Sequence, residues 1–214
     1  MVRNLAVIAS IPLALGACAK TGEIDASGGV GVTAVRSACP HVGIPAGTGD
    51  MTIFNPANSR DASAIDVNAV MTNVTSTCDD AGPQVVTTVN FEVLARRQNA
   101  DGARDVSFPY FVTVVRGGTS VIAKRINRVT VHFEPGQIRA QATGTATTYV
   151  DRSAATLPDD VRKRLSEKRK AGEQAAAMDP LADPSVRGAV LSATFEALVG
   201  FQLTEEQLKY NVTR

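Results

Sequence analysis

The 214-residue chain has no tryptophan, and aromatic residues make up only 5% of it. Valine, threonine and alanine dominate instead, a composition that favours strands over a helical bundle. Net charge is also lacking. The 22 Lys and Arg nearly cancel the 21 Asp and Glu, leaving +1, so global charge gives no reason to expect a nucleic-acid or membrane-surface partner. Long apolar runs are missing too. The one at residues 5–17 is too short for a hydrocarbon core of roughly 30 Å, which needs about 20 residues, and Pro12 weakens it further as a spanning helix. No P-loop, no GxGxxG after a strand, no HExxH and no G-x-S-x-G occurs, so neither a phosphate cradle nor a familiar hydrolytic site is legible. No enzymatic activity and no cofactor are expected.

What is present begins with a leader. Arg3 precedes an apolar stretch (Leu5, Ala6, Val7, Ile8, Ala9, Ile11, Leu13, Ala14, Leu15), and small residues then lead to Cys18. A positive start, a short apolar segment and small residues before a cut are the pattern of an export signal. The tetrapeptide Leu15-Gly16-Ala17-Cys18 resembles the lipobox of bacterial lipoproteins. The resemblance implies cleavage after Ala17, a diacylglyceryl group on the Cys18 thiol and an acylated new amino terminus. More than one acyl chain makes membrane attachment durable, where a single chain is marginal. Ala19 stands where an aspartate favours inner-membrane retention, so the resemblance implies the inner leaflet of the outer membrane, facing the periplasm. The alternative is an ordinary secretory signal cut after Ala19, which would discard Cys18.

With Cys18 assigned to lipid, Cys39 and Cys78 are left as an even pair in an oxidising compartment, and a disulfide is expected. Closing that loop stabilises a fold by roughly 4 kcal/mol in the chain-entropy model. Neither cysteine has a CxxC partner or a histidine cluster, which disfavours metal or redox chemistry. Cys39 lies two residues from His41, but spacing alone does not make a nucleophile pair.

Residues 18–31 are small, polar and Gly-rich and read as a flexible tether. One domain is expected over 32–214. One or two short strands are predicted before Pro56, the clearest at Met51-Thr52-Ile53-Phe54. Ile65, Val67, Ala69 and Met71 then alternate with polar residues, and the shift of apolar phase to Val74 predicts a bulge or a change of face near Val70. Val85, Val89, Phe91 and Val93 mark a half-buried strand. Val106, Phe108, Tyr110, Val112 and Val114 mark the next, where Pro109 predicts an edge position or a bulge. Gly117-Gly118 is a hairpin turn, a long strand returns over 120–133, and Glu134-Pro135-Gly136-Gln137 turns into another from Ile138. Closely spaced strands joined by hairpin signals predict a mainly β fold, a single antiparallel immunoglobulin-like sandwich.

A helical excursion is predicted near 157–192. Leu157-Pro158-Asp159-Asp160 is a helix start, and a second short helix covers Val186 to Ser192. The first helix carries a basic cluster (Arg162, Lys163, Arg164, Lys168, Arg169, Lys170) among balancing acids. It reads either as a solvated face or as a contact to lipid phosphate or another anionic envelope polymer. Phe195, Ala197, Val199, Phe201 and Leu203 predict a closing strand over 194–203, set beside the earlier strands. Thr204-Glu205-Glu206-Gln207 has capping-box spacing and starts a short C-terminal helix.

His41 falls in a Pro/Gly-rich loop and His132 points outward on a strand. No carboxylates can be placed to complete a metal site with them. The paired acids at Asp79-Asp80, Asp159-Asp160 and Glu205-Glu206 are explained by turns and helix starts. Two stretches, Tyr110-Phe111-Val112-Thr113-Val114-Val115 and Val199 to Leu208 with Tyr210-Asn211, resemble a group of uncharacterised alphaproteobacterial lipoproteins. That likeness supports the fold reading and brings no known activity with it. The expected role is structural or interactive, with an envelope protein bound through an edge strand or loop. The alternatives are a glycan- or lipid-binding sandwich face and, less favoured, a hydrolase.

Overall fold

A computed structural model describes residues 37–167 and 178–213. The leader at 1–17, Cys18, the tether at 18–31, and Lys168, Arg169 and Lys170 lie outside the described residues. The elements run β1 (His41–Gly43), β2 (Asp50–Phe54), β3 (Ile65–Asp79), β4 (Gln84–Arg97), β5 (Arg104–Arg116), β6 (Ser120–Phe133) and β7 (Arg139–Asp151). Helices α1 (Arg152–Ala155), α2 (Asp159–Ser166) and α3 (Pro184–Ser192) follow, then β8 (Phe195–Phe201) and α4 (Glu205–Thr213). Two four-stranded sheets, ordered β1-β8-β5-β6 and β2-β3-β4-β7, pack face to face as the sandwich that the alternation predicts. Every ladder is antiparallel except β1 against β8.

Strand parity builds the core. β4 turns Val85, Val89, Phe91, Val93 and Ala95 inward, and β5 opposes them with Val106, Phe108, Tyr110, Val112 and Val114. Phe91 meets Tyr110 edge-on at 4.9 Å, and Phe108 packs on Phe201 at 5.8 Å. Burying side chains of this size contributes roughly 1.5–3 kcal/mol each, so packing across the sheets outweighs any single polar cross-link. A Cβ at Gly144 would lie 2.2 Å from Phe91 Cζ, so the ring occupies space that only glycine leaves open. Three polar or covalent ties also join the sheets. The Tyr110 hydroxyl donates to Thr145 O at 2.9 Å, Arg104 grips Asp66 through bonds of 2.8 and 2.6 Å, and Cys39 is bonded to Cys78.

Arg97 closes one end of the sandwich. It is 2% exposed, and its guanidinium donates to the carbonyls of Gln137 (2.8 Å), Gly102 (2.6 Å), Ala100 (3.3 Å) and Glu134 (2.9 Å) while lying over the Phe133 ring. No carboxylate takes part. Backbone dipoles of the β4–β5 and β6–β7 connections supply the negative end that a buried cation requires.

Four details depart from the sequence expectations. The bulge in β3 lies between Thr72 and Thr75 rather than near Val70, and Asn73 takes φ 49° there. Asparagine is among the few side chains that enter the left-handed region readily. Pro109 sits on an interior strand, because β5 lies between β8 and β6. Gln202 N donates to Pro109 O one residue past the end of β8, so Pro109 lies beyond the last β5–β8 register pair, Tyr110 with Phe201, and no pair of that ladder falls on the residue that lacks an N–H. The helical excursion begins at Arg152, directly after β7, and α2 and α3 build their own small cluster from Val161, Val186 and Val190. The closing strand spans Phe195–Phe201, and it does insert beside β5. The capping box forms as predicted, with Gln207 N donating to Thr204 Oγ1 at 3.2 Å and Thr204 N to Gln207 Oε1 at 2.9 Å. Among the described residues, no helix is long and apolar enough to cross a membrane.

Candidate functional site

Among the described residues, three strongly exposed aliphatic side chains lie close together on β6. This strand ends its sheet, so one side of its backbone pairs with β5 and the other pairs with no strand among the described residues. Its last third behaves as the alternation demands, with Val129, Val131 and Phe133 buried. Residues 120–128 do not. All nine are exposed, on both faces of the strand, including Val121 (64%), Ile122 (57%) and Ile126 (57%). An edge that is long, uncovered and aliphatic is a template for strand addition, and monomeric folds normally shorten or cover it.

The register with β5 sorts this stretch by face. Ile126 stands opposite Phe111, Lys124 opposite Thr113 and Arg128 opposite Pro109, so Lys124, Ile126 and Arg128 share the outer face. A register shift between Val114 and Val115 brings Val121 onto that face as well, opposite Val115. Phe111 and Val115 are themselves buried on this outer side. Towards β8, the loop before β2 covers the face. Thr48 comes so close to Gly200 that a Cβ there would lie 2.3 Å from Thr48 Oγ1. Towards β6, the cover stops and the aliphatics emerge. The Lys124 ammonium lies 4.9 Å from the centre of the Phe111 ring. Residues 120–128 contain Lys124, Arg125 and Arg128 and no acid, and none of the three forms an ion pair among the described residues.

The basic helix singled out from the sequence is arranged differently. Arg162 pairs with Asp159 at 2.6 Å, and Arg164 with Asp183 at 2.5 Å. The Asp183 carboxylate also caps α3 through the Ser185 hydroxyl and amide. Those bonds and Arg164 hold it far below the usual carboxylate range. Of the described cations of the cluster, two are therefore already partnered within the excursion. A wide cleft of about 800 Å³ lies between α2 and the sandwich, lined by Arg152, Arg162 and Lys163 but also by Asp80 and Asp159. Its charges are mixed, and Arg152 is turned to Ala81 O.

The two histidines are on different strands and do not meet. His132 is exposed, with Nδ1 2.6 Å from Asp105 and Nε2 3.3 Å from Glu134. The Asp105 hydrogen bond, then the nearby negative charge, raises its pKa above the ordinary imidazole value. A carboxylate at each ring nitrogen favours the protonated form of the ring, which offers no lone pair to a metal. Among the described residues, no group of His, Cys, Asp and Glu is placed to hold a metal ion. The cysteine pair is brought together as expected.

Two features were missed from the sequence. Arg97 follows the inward parity of Val93 and Ala95, a signal that was there to be read. The uncovered half of β6 is marked only by Arg125 and Asn127 on the inward parity of Val129, Val131 and Phe133, and how far its aliphatics are left exposed depends on where the facing sheet ends. Compared with known proteins, the chain matches no protein family, no curated protein and no solved structure.

Proposed function

We propose that this protein is a lipoprotein of the cell envelope, anchored through Cys18 in the inner leaflet of the outer membrane, whose sandwich docks another envelope protein along the β6 edge. Its role is structural or interactive rather than catalytic. The observation that carries the docking half is the run of nine exposed residues at 120–128 on an unpaired strand edge, with Val121, Ile122 and Ile126 among them. The lipobox-like Leu15-Gly16-Ala17-Cys18 supports the anchoring half. A tethered domain needs no membrane-spanning helix, and a sheet edge offers main-chain hydrogen bonds to an extended segment from a partner.

Site-specific photocrosslinking in the native envelope tests the docking. A photoreactive residue at position 126 should give a discrete adduct, and one at position 143, on the outer face of the other sheet, should not. Equal adducts from both positions, or none from 126, would overturn docking at β6. Fractionation of a Cys18→Ser variant tests the anchor separately. The variant should leave the membrane fraction, and its retention there with an unchanged set of adducts would overturn the lipid anchor.

A further inference from the structure

If β6 is the docking edge, as proposed above, its side chains also specify what docks. We infer that the occupant is an extended segment of a partner protein carrying three acids and an aliphatic residue in fixed spacing, added as a fifth strand beside β6. The outer face of the exposed stretch presents Lys124, Ile126 and Arg128 at intervals of two, and the inner face adds Arg125. In an antiparallel pair each residue faces one partner residue directly, and opposite charges or matched aliphatics in those positions stabilise the pair. Read in the partner's direction, the complement is acid, any residue, aliphatic, acid, acid. These stand opposite Arg128, Asn127, Ile126, Arg125 and Lys124 respectively.

The same charges exclude a second copy of this chain. Two β6 edges paired with each other would set Lys124, Arg125 and Arg128 against a segment that also has no acid, and like charges placed opposite one another destabilise a sheet edge. An anionic lipid surface would satisfy the cations. It would leave the outward main-chain N–H and C=O groups of β6 without strand partners, and it would require no particular spacing.

Binding of labelled peptides to the full chain tests the inference. The probe is a nine-residue peptide centred on Asp-Thr-Ile-Glu-Glu with threonine flanks, and its comparisons replace the three acids by lysine or the central isoleucine by proline. The acidic peptide should bind about tenfold or more tightly than the lysine peptide at low salt, since each cross-strand charge pair contributes a fraction of a kcal/mol. The difference should shrink as salt screens exposed charges. Alternate amides within 120–128 should gain protection from hydrogen exchange. A Lys124→Glu/Arg128→Glu variant, altered only at exposed positions, should invert the preference.

Equal binding of acidic and lysine peptides would overturn the acidic complement. In that case a surviving adduct from position 126 would keep β6 as the docking edge, and a lost adduct would remove that as well. Equal binding of the proline peptide, or unchanged amide exchange, would overturn strand addition. Binding to phosphatidylglycerol vesicles that the charge-swap variant loses, with no peptide bound, would assign the edge to lipid instead.

Discussion

Replacing Arg97 sets two large effects against each other. Its guanidinium is 2% exposed and reaches four carbonyl oxygens. Hydrogen bonds to a charged group stabilise by about 1.5–3 kcal/mol each, but withdrawing the charge from water costs several kcal/mol. What the substitution leaves behind decides the balance. Ala100 O keeps a bond from Gly136 N at 2.7 Å, and Glu134 O keeps one from Gln137 N at 3.0 Å. The carbonyls of Gln137 and Gly102 lose the arginine as donor. At roughly 1–3 kcal/mol for each of these two carbonyls, partly offset by the desolvation that a neutral side chain avoids, Arg97→Met should destabilise by about 2 kcal/mol. Arg97→Ala adds a cavity against Phe133 and should reach about 4 kcal/mol. Arg97→Lys keeps the charge but not the planar fork, and it should fall nearest the wild type. Urea unfolding followed by far-UV circular dichroism, compared at constant m, measures all three. If Arg97→Met proved as stable as the wild type or more so, desolvation would outweigh the hydrogen bonds, and Arg97 would not be what holds the two connections together.

Three further outcomes are expected. The Cys39→Ala/Cys78→Ala protein should lose about 4 kcal/mol, from the loop entropy of a cross-link between residues 39 apart. Thiol labelling of the unfolded, non-reduced wild type should modify neither Cys39 nor Cys78, and labelling of both would show that they are unpaired. His132 should titrate above the ordinary 6.5 in proton NMR, and Asp105→Asn should lower its midpoint more than Glu134→Gln does. Because the folded value is raised, the pairs stabilise the fold fully below the unfolded value and lose that contribution as pH rises through the folded one. A midpoint at or below 6.5 would mean that the pairs do not form in solution. Gly144→Ala should cost about 1–3 kcal/mol by overpacking against Phe91, whereas Gly102→Ala, whose added Cβ would meet nothing within 4 Å, should be close to neutral.

The sandwich was legible in the sequence because period-2 alternation is a local signal. Val85 to Val93 and Val106 to Val114 each commit one face inward before any partner strand is chosen. The hairpin at Gly117-Gly118, the capping box at Thr204 and the pairing of Cys39 with Cys78 were legible for the same reason, since each depends on residue type and on short spacing or parity of count. Tertiary structure decided the rest. Pro109 could lie on an interior strand because β8 ends one residue short of it. Arg164 is engaged because the fold brings the α3 cap Asp183 beside α2, whereas the Arg162–Asp159 pair is a local i,i+3 contact on one helix. Arg97 is satisfied only because two connections, distant in sequence, turn their carbonyls onto it. The half-uncovered β6 is the clearest case. Its inward positions 125 and 127 carry Arg and Asn, a polar break in the apolar parity of Val129, Val131 and Phe133, but how exposed Val121, Ile122 and Ile126 are left depends on where the facing sheet stops.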